Sequence, residues 1–332
     1  MQPQPTPKTM SANDIKRPIE TEMKAFEPYF KKQLKSPNLL LTIITNYILR
    51  NKGKQMRPTL VFLSALASGR ITDRSYVAAT LIELLHTATL VHDDVVDETY
   101  QRRGQFSVNA IWNSKIAVLV GDYFLARGLG VALESNSFDM LRIVSKAVKE
   151  ISEGELVQIE RARKLDITEQ VYYEIIYKKT ASLISACTEA GAVSAGAPAE
   201  TVEQMRLFGE YLGIAFQIRD DLFDYEDTWL TGKPSGNDIK ERKLTLPLIY
   251  ALTNASAENR RQIMKLIRNH NTESRAIATI TAFARDNGGI QYTTQAMNRY
   301  SDMARQAIAG IADSPAKQSL LALVEYNNSR KK

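Results

Sequence analysis

Apolar residues recur at spacings of three and four along most of this chain, the mark of amphipathic helices, while the alternation expected of strands is scarce. From Tyr76 to His92 the pattern runs through Val77, Leu81, Leu84, Leu85, Ala88 and Val91 and predicts a helix with Asp73 as its N-cap. From Val202 to Ile218 it runs through Met205, Phe208, Leu212 and Ala215, opened by Pro198 near the first turn. Glycine and proline fall mostly between such segments, at Pro37, Gly69, Gly196-Ala197-Pro198 and Gly288-Gly289. The expected architecture is all-α, a single-domain helical bundle with a central active-site cavity. No linker or fixed-period repeat divides the chain, so residues 11–332 read as one domain behind a Pro- and Gln-rich tail, 1–10, that should be disordered.

Both helices run into the same polar string. Asp-Asp-Val-Val-Asp spans Asp93 to Asp97, and Asp-Asp-Leu-Phe-Asp spans Asp220 to Asp224. On a helix, positions i and i+4 lie one above the other, so Asp93 shares a face with Asp97 and Asp220 with Asp224. Like charges at that spacing, placed at a helix C-terminus, oppose both one another and the helix dipole. A compensating cation is implied. Carboxylate oxygens suit Mg²⁺, which keeps several waters and is held by one or two carboxylates together with substrate phosphate oxygens. Two such clusters facing each other would grip one polyphosphate through shared ions.

Basic residues stand at turn signals beside these strings. Lys54 and Arg57 lie in Gly53-Lys54-Gln55-Met56-Arg57-Pro58, Arg102 and Arg103 follow the first acidic cluster, and Lys179 precedes Thr180. Lys233 follows Gly232, and Lys243 precedes Leu244-Thr245-Leu246-Pro247. Acid held through metal next to basic groups is a means of gripping two diphosphates, one through ions and one through Arg and Lys.

With these elements in this order, the chain resembles the trans-isoprenyl diphosphate synthases, or polyprenyl synthetases, from about Ile19 to its end. The resemblance implies that Asp93, Asp94, Asp97, Asp220, Asp221 and Asp224 hold three Mg²⁺ ions on an allylic diphosphate, farnesyl or geranyl, also gripped by Arg102, Lys179 and Lys233. It gives isopentenyl diphosphate to Lys54, Arg57, His86 and Arg103, and it gives Thr180 and Gln217 the role of stabilising a developing carbocation. Lys243 and Asp224 stand at the outer edge of that set. Helical spacing supports the assignment: Gln217 lies three and four residues before Asp220 and Asp221, and His86 two turns before Asp93 and Asp94. A homodimer is implied by the resemblance alone.

The implied chemistry is ionisation of the allylic diphosphate, attack by the isopentenyl double bond, and loss of a proton to the departing diphosphate. It needs no nucleophile, and the sequence offers no triad. Water must be excluded, and Thr228 to Lys243 is the expected lid. Where the family usually reads Glu-Gly-Lys before Thr-Leu-Pro, this chain has Glu241-Arg242-Lys243, which puts the lid's geometry in question.

The growing product would run along the first acidic helix, away from the metals. Ala88 and Thr89, five and four residues before Asp93, are small; Leu85, Leu84, Ile82 and Leu81, with Phe124 or Leu125, stand deeper, while Gly121, Ala126, Gly128 and Gly130 leave depth. A long-chain product, heptaprenyl to nonaprenyl, of the kind used for quinone side chains is expected. The alternative is a shorter one, farnesyl or geranylgeranyl.

A net charge of +6 on 332 residues suits anionic diphosphates. It would suit nucleic acid or an anionic membrane as well, but neither has a motif here, and a membrane would matter only for product release. Lys331 and Lys332 after Arg330 read as a basic tail near the site mouth. The single Cys187 excludes an internal disulfide. No run approaches the ~18 apolar residues of a membrane span, and no signal peptide precedes the tail, so a cytoplasmic protein is expected. Three rivals stay open. A class I terpene cyclase would have Asn, Ser or Thr, and Glu at its second metal site; a non-catalytic subunit of a heteromeric synthase usually loses aspartates; a divalent-cation buffer would not need Lys54, Arg57, Arg102 and Arg103.

Overall fold

The computed structural model describes residues 11–50, 53, 55–102, 104–225 and 236–330. The tail at 1–10, the candidate residues Lys54, Arg103 and Lys233, and part of the expected lid lie outside that set.

Helix dominates. The N-terminal part carries α1 (Ala12–Lys16), α2 (Glu20–Gln33), α3 (Leu39–Arg50), α4 (Met56–Ala67) and α5 (Asp73–Val96). A small antiparallel pair follows, β1 (Gln101–Arg102) with β2 (Gln105–Phe106), the only strands among the described residues. Then come α6 (Val108–Trp112), α7 (Ser114–Glu134), α8 (Phe138–Lys164), α9 (Glu169–Ile176), α10 (Ser182–Ser194) and α11 (Ala199–Phe223). The C-terminal part adds α12 (Asn237–Lys240), α13 (Leu246–Thr253), α14 (Ala257–Asn269), α15 (Ser274–Asp286), α16 (Gly289–Ala307) and α17 (Pro315–Ser329). The expected all-α bundle is what the chain forms.

Both aspartate-bearing helices are longer than their periodic cores suggested. The N-cap of α5 is Thr72 rather than Asp73: Thr72 is extended and forms a capping box with Ser75, whose Oγ accepts its backbone N–H at 3.1 Å, so Asp73 falls in the first turn. Pro198 caps α11, whose first turn has no use for the N–H that proline lacks. Asp93 and Asp94 occupy the last turn of α5 with Asp97 as C-cap, and Asp220, Asp221 and Asp224 repeat that arrangement on α11.

The helices close on two apolar clusters. Phe26, Phe62, Leu81, Leu84, Phe124 and Val144 belong to the first, and Ile176, Ile249, Ile280 and Met297 to the second. Each fully buried side chain of this size contributes about 1.5–3 kcal/mol. Helix α11 serves both clusters, giving Met205, Phe208 and Leu212 to one and Ile214, Ala215, Ile218 and Leu222 to the other. The second acidic string thus ends a helix that lies along the seam between them.

Close backbone approach fixes the segment that faces that seam. A Cβ at Gly213 would sit 2.5 Å from Ala181 Cα, and one at Gly154 would sit 2.7 Å from Lys178 Cβ. These two glycines let α11 and α8 close on Tyr177–Ala181, which forms a π-helical turn. Such turns shift side chains off the regular helical faces and often mark functional sites; this one carries Lys179 and Thr180.

The packing overturns one expectation. Gly121 and Gly128 leave no depth, because α7 lies directly on α5: a Cβ at Gly121 would meet the His92 ring at 2.1 Å, and Gly128 is covered by Leu81, Leu84 and Leu85. Ala126 is exposed, and Gly130 neighbours the surface pair Arg127 and Glu134. Small residues at these positions buy helix contact or lie at the surface. α7 is also long and apolar enough by composition to cross a membrane, with mean hydropathy 1.7, although the sequence showed no uninterrupted apolar run.

Candidate active site

Helix geometry gives the first string three different environments. Asp94 is buried, and its Oδ1 accepts from Arg102 Nε at 2.8 Å and Nη2 at 2.7 Å. Arg102 reaches it from β1, while Asn109 Nδ2 on α6 donates to the Asp94 carbonyl at 3.0 Å and ties the hairpin's far side to the helix end. Asp93 is half-buried. Burial pushes its carboxyl up to about 6, with the charges of Glu155 and Asp97 adding to the rise and Lys179 and Arg102 opposing it. Asp97 is exposed.

The second string is bound more tightly into the protein. Asp221 is buried and accepts Tyr172 Oη at 2.6 Å and Gln217 Nε2 at 2.9 Å. Burial, then the charge of Asp238, pushes the Asp221 carboxyl above the usual range, against those two hydrogen bonds. Asp224, also buried, accepts the backbone N–H of Asp238 at 2.7 Å. Asp220 accepts Arg330 Nη2 at 2.6 Å.

Between the strings stands the π-turn. Lys179 Nζ pairs with Glu155 Oε2 at 2.5 Å and lies 3.4 Å from Gln158 Oε1. Thr180 Oγ1 donates to Gln217 Oε1 at 2.8 Å. A continuous chain therefore runs from Thr180 through Gln217 to Asp221 and Tyr172. Lys179, Thr180, Gln217, Asp221 and Lys243 line one cavity of about 180 Å³, with Gln158, Tyr172 and Asp238, and with Ile175, Ile176 and Leu244 as its apolar wall.

Lys243 faces this cavity but pairs with Glu241; burial works against its charge, and the hydrogen bond and charge of Glu241 overcome that and raise its pKa. Arg242 beside it has φ of 56°, the left-handed region in which glycine is free, and donates to the Arg268 carbonyl at 2.9 Å. The loop thus keeps a glycine-type conformation without the glycine.

Arg57, in the first turn of α4, and His86, on α5, are half-buried, and the charge of Arg57 is felt by buried Cys187 on α10. Of the chain-length candidates, Leu84, Leu85 and Ala88 are buried, while Thr89 is half-buried and donates to the His86 carbonyl at 2.9 Å. Phe124 is buried among them.

Four site residues escaped the sequence analysis, Glu155, Gln158, Tyr172 and Asp238, while Arg330 was placed only at a basic tail near the site mouth, with no partner named. Glu155 and Gln158 carried a signal, a polar pair three apart directly after Gly154 on an otherwise ordinary helix. Tyr172 carried none, and nothing local pairs Arg330 with Asp220, because only the tertiary fold brings these side chains to α11.

The aspartates fit a hard divalent cation: six carboxylates stand at two helix ends, and burial raises the pKa of two of them, Asp93 and Asp221. Among the described residues no three acidic, His or Cys side chains converge closely enough to cage an ion. An ion here would take further oxygens from a ligand or water, as Mg²⁺ does.

An all-α bundle in which two aspartate-ended helices flank a polar seam defines the isoprenoid-synthase class of fold. A family model described as polyprenyl synthetase matches residues 38–283, and the chain belongs to that family, whose members are prenyltransferases. The all-trans-nonaprenyl-diphosphate synthase (geranyl-diphosphate specific) of Rhodobacter capsulatus is 36% identical over 93% of this chain and 95% of its own. A polyprenyl synthase from Caulobacter crescentus, solved with calcium and isoprenyl diphosphate, is 32% identical with a TM-score of 0.89, over 98% of this chain and 100% of that one. A geranylgeranyl pyrophosphate synthase from Bacteroides thetaiotaomicron is 38% identical with a TM-score of 0.80, over 97% and 100%.

Proposed function

We propose that this protein is an all-trans-polyprenyl diphosphate synthase that condenses isopentenyl diphosphate successively onto an allylic diphosphate and makes a long-chain product. The observation that carries the reading is the pair of aspartate strings on α5 and α11 with the Lys179, Thr180 and Gln217 group between them. Asp93, Asp94, Asp97, Asp220, Asp221 and Asp224 would hold Mg²⁺, which when bound stabilises negative charge developing on diphosphate oxygens. The relative solved with calcium and isoprenyl diphosphate supports a divalent ion and such a substrate.

The chain's own groups supply the rest. Arg102 and Lys179 are preorganised cations for the leaving diphosphate; both rest on carboxylates, Asp94 and Glu155, so their positions are set before substrate arrives. Gln217 has a fixed amide orientation, because Thr180 donates to its oxygen and its nitrogen donates to Asp221. One lone pair of Oε1 is left to face developing positive charge on the allylic carbon. Tyr172 holds the far side of Asp221. The apolar wall of Ile175, Ile176 and Leu244 excludes water from that side. The departing diphosphate takes the proton that ends each condensation. Arg57 and His86 remain the groups proposed for isopentenyl diphosphate, with Lys54 and Arg103, and Lys233 for the allylic diphosphate.

Chain length rests on Ala88 and Thr89, small residues one turn above Asp93, and on the nonaprenyl relative. A shorter product has support of its own: Leu81, Leu84 and Leu85 fill the space against Gly128, and one relative of 38% identity is named for geranylgeranyl diphosphate. The homodimer has physical support in α7, where Val118, Leu119, Leu129 and Leu133 are each more than 40% exposed along one face. That face suits a second copy of α7, and with it covered the protein would be soluble.

Incubation with Mg²⁺, farnesyl diphosphate and labelled isopentenyl diphosphate, followed by chain-length analysis, tests the proposal. A ladder ending in one long polyprenol is the expected result. No incorporation with any allylic primer would leave the non-catalytic subunit.

A further inference from the structure

The chain end reaches the second acidic string. Arg330, directly after α17, donates from Nη2 to Asp220 Oδ1 at 2.6 Å and to the Phe216 carbonyl at 3.1 Å. Its guanidinium lies 4.1 Å from the centre of the Phe216 ring and 5.2 Å from that of Phe223. Arg219 stacks on the same Phe223 and donates to the Arg330 carbonyl at 2.8 Å, which fixes the backbone as well as the side chain. With 17% of its side chain exposed, Arg330 is packed in place, unlike a surface ion pair of negligible worth. Asp221 and Asp224 accept hydrogen bonds from uncharged donors; Asp220 meets a full positive charge.

A guanidinium and a divalent ion on one carboxylate repel each other strongly at protein dielectric, whereas a diphosphate between them removes the conflict. We propose that Arg330 is the resting counter-ion of Asp220, a positioning residue that makes the second string take up divalent metal poorly until a diphosphate brings compensating charge. The inference rests on the reading of Asp220 as a metal-binding residue. It makes metal uptake at α11 depend on the residue that follows α17, more than a hundred positions away in sequence.

The test is binding of Mg²⁺ alone to full-length protein stripped with EDTA, followed by calorimetry and by thermal shift, in wild type, Arg330→Met, Arg330→Gln and Arg330→Lys. Either neutral variant should lower the half-saturating Mg²⁺ concentration about threefold or more, and Arg330→Lys should stay near wild type. Inorganic diphosphate should narrow the gap. Unchanged or weaker Mg²⁺ binding in the neutral variants would overturn the proposal, as would an equal loss of Tm with and without Mg²⁺, the mark of a purely structural contact. Arg330→Gln keeps a donor for the Phe216 carbonyl and serves if Arg330→Met fails to fold. If Asp220→Asn leaves Mg²⁺ uptake with inorganic diphosphate untouched, the metal reading itself is wrong and the counter-ion falls with it. If Asp220→Asn weakens uptake while the neutral Arg330 variants do not tighten it, only the counter-ion is wrong.

Discussion

The two acidic helix ends share a sequence pattern and differ in how the protein holds them. At the end of α5, one carboxylate is clamped by Arg102, one is exposed, and Asp93 is half-buried beside Glu155 with its pKa pushed up to about 6. At the end of α11, all three carboxylates have protein partners: Arg330 for Asp220, Tyr172 and Gln217 for Asp221, and the Asp238 amide for Asp224. A repeated motif therefore does not imply repeated energetics. The first string leaves Asp93 and Asp97 open to the site, and the second is part of the scaffold that joins two apolar clusters.

The largest effects should separate the two. Asp93→Ala and Asp221→Ala should each cut turnover about 10³-fold, the scale on which loss of a group stabilising transition-state charge is felt. Their stabilities should diverge. In EDTA, Asp221→Ala should cost about 1–3 kcal/mol, because the buried Tyr172 hydroxyl is left without its acceptor. Asp93→Ala should cost nothing or stabilise, because it removes a poorly compensated charge. Urea denaturation of both variants measures this, and equal stability losses would erase the distinction drawn between the strings.

Ala88→Phe comes next. Ala88 is fully buried in the first apolar cluster one turn above Asp93, so a phenyl ring there adds bulk to the helix along which the product is proposed to grow. The product should shorten while the first condensation proceeds at close to its normal rate. An unchanged product distribution would show that the chain grows elsewhere.

Acid should then sharpen the contrast. The folded-state pKa of Asp93 is raised, so the folded protein keeps its proton longer than the unfolded chain does. The stabilising contribution is complete below the unfolded value of 3.8 and is lost as pH rises to about 6. In metal-free protein the Asp93 contribution should be lost across that window, so Asp93→Asn should shift the slope of stability with pH upward there, and Asp221, raised as well, should extend such a loss above it. An identical slope in wild type and Asp93→Asn would place the titration on other groups.

How much of this was legible follows from range. The helices, the helix-terminal placement of both strings and the neighbours Arg102 and Gln217 depend on separations of a few residues, which periodicity encodes directly. Asp73 was misread as a cap because Thr72 and Ser75 form a reciprocal box that a single-residue preference does not reveal. Gly121 and Gly128 were misread as open space because a glycine that admits a facing helix looks, in sequence, like one that leaves a void. Arg330 meets Asp220 from 110 positions away, and no pattern of local spacing reports such a contact.

Glu155→Gln is expected to act chiefly on the first string and more gently. Glu155 holds Lys179 at 2.5 Å and adds to the charge that raises Asp93. Removing that charge leaves Lys179 without the carboxylate that positions it, so KM for the allylic diphosphate should rise a few-fold, while the Asp93 pKa falls. A fall in KM would mean that Glu155 restrains Lys179 rather than aims it.

The smallest effect belongs to Arg242, outside both strings. Its φ of 56° costs an ordinary side chain roughly 1–2 kcal/mol, a cost glycine does not bear. Glycine adds unfolded-state entropy of about 0.4–1 kcal/mol, and the substitution also removes the hydrogen bond to the Arg268 carbonyl. Strain relief and these losses nearly cancel, so Arg242→Gly should change stability by less than about 1 kcal/mol and leave the metal dependence of both strings as it was. A loss well beyond that would mean that the Arg268 contact, rather than backbone conformation, fixes the loop that presents Lys243 to the cavity.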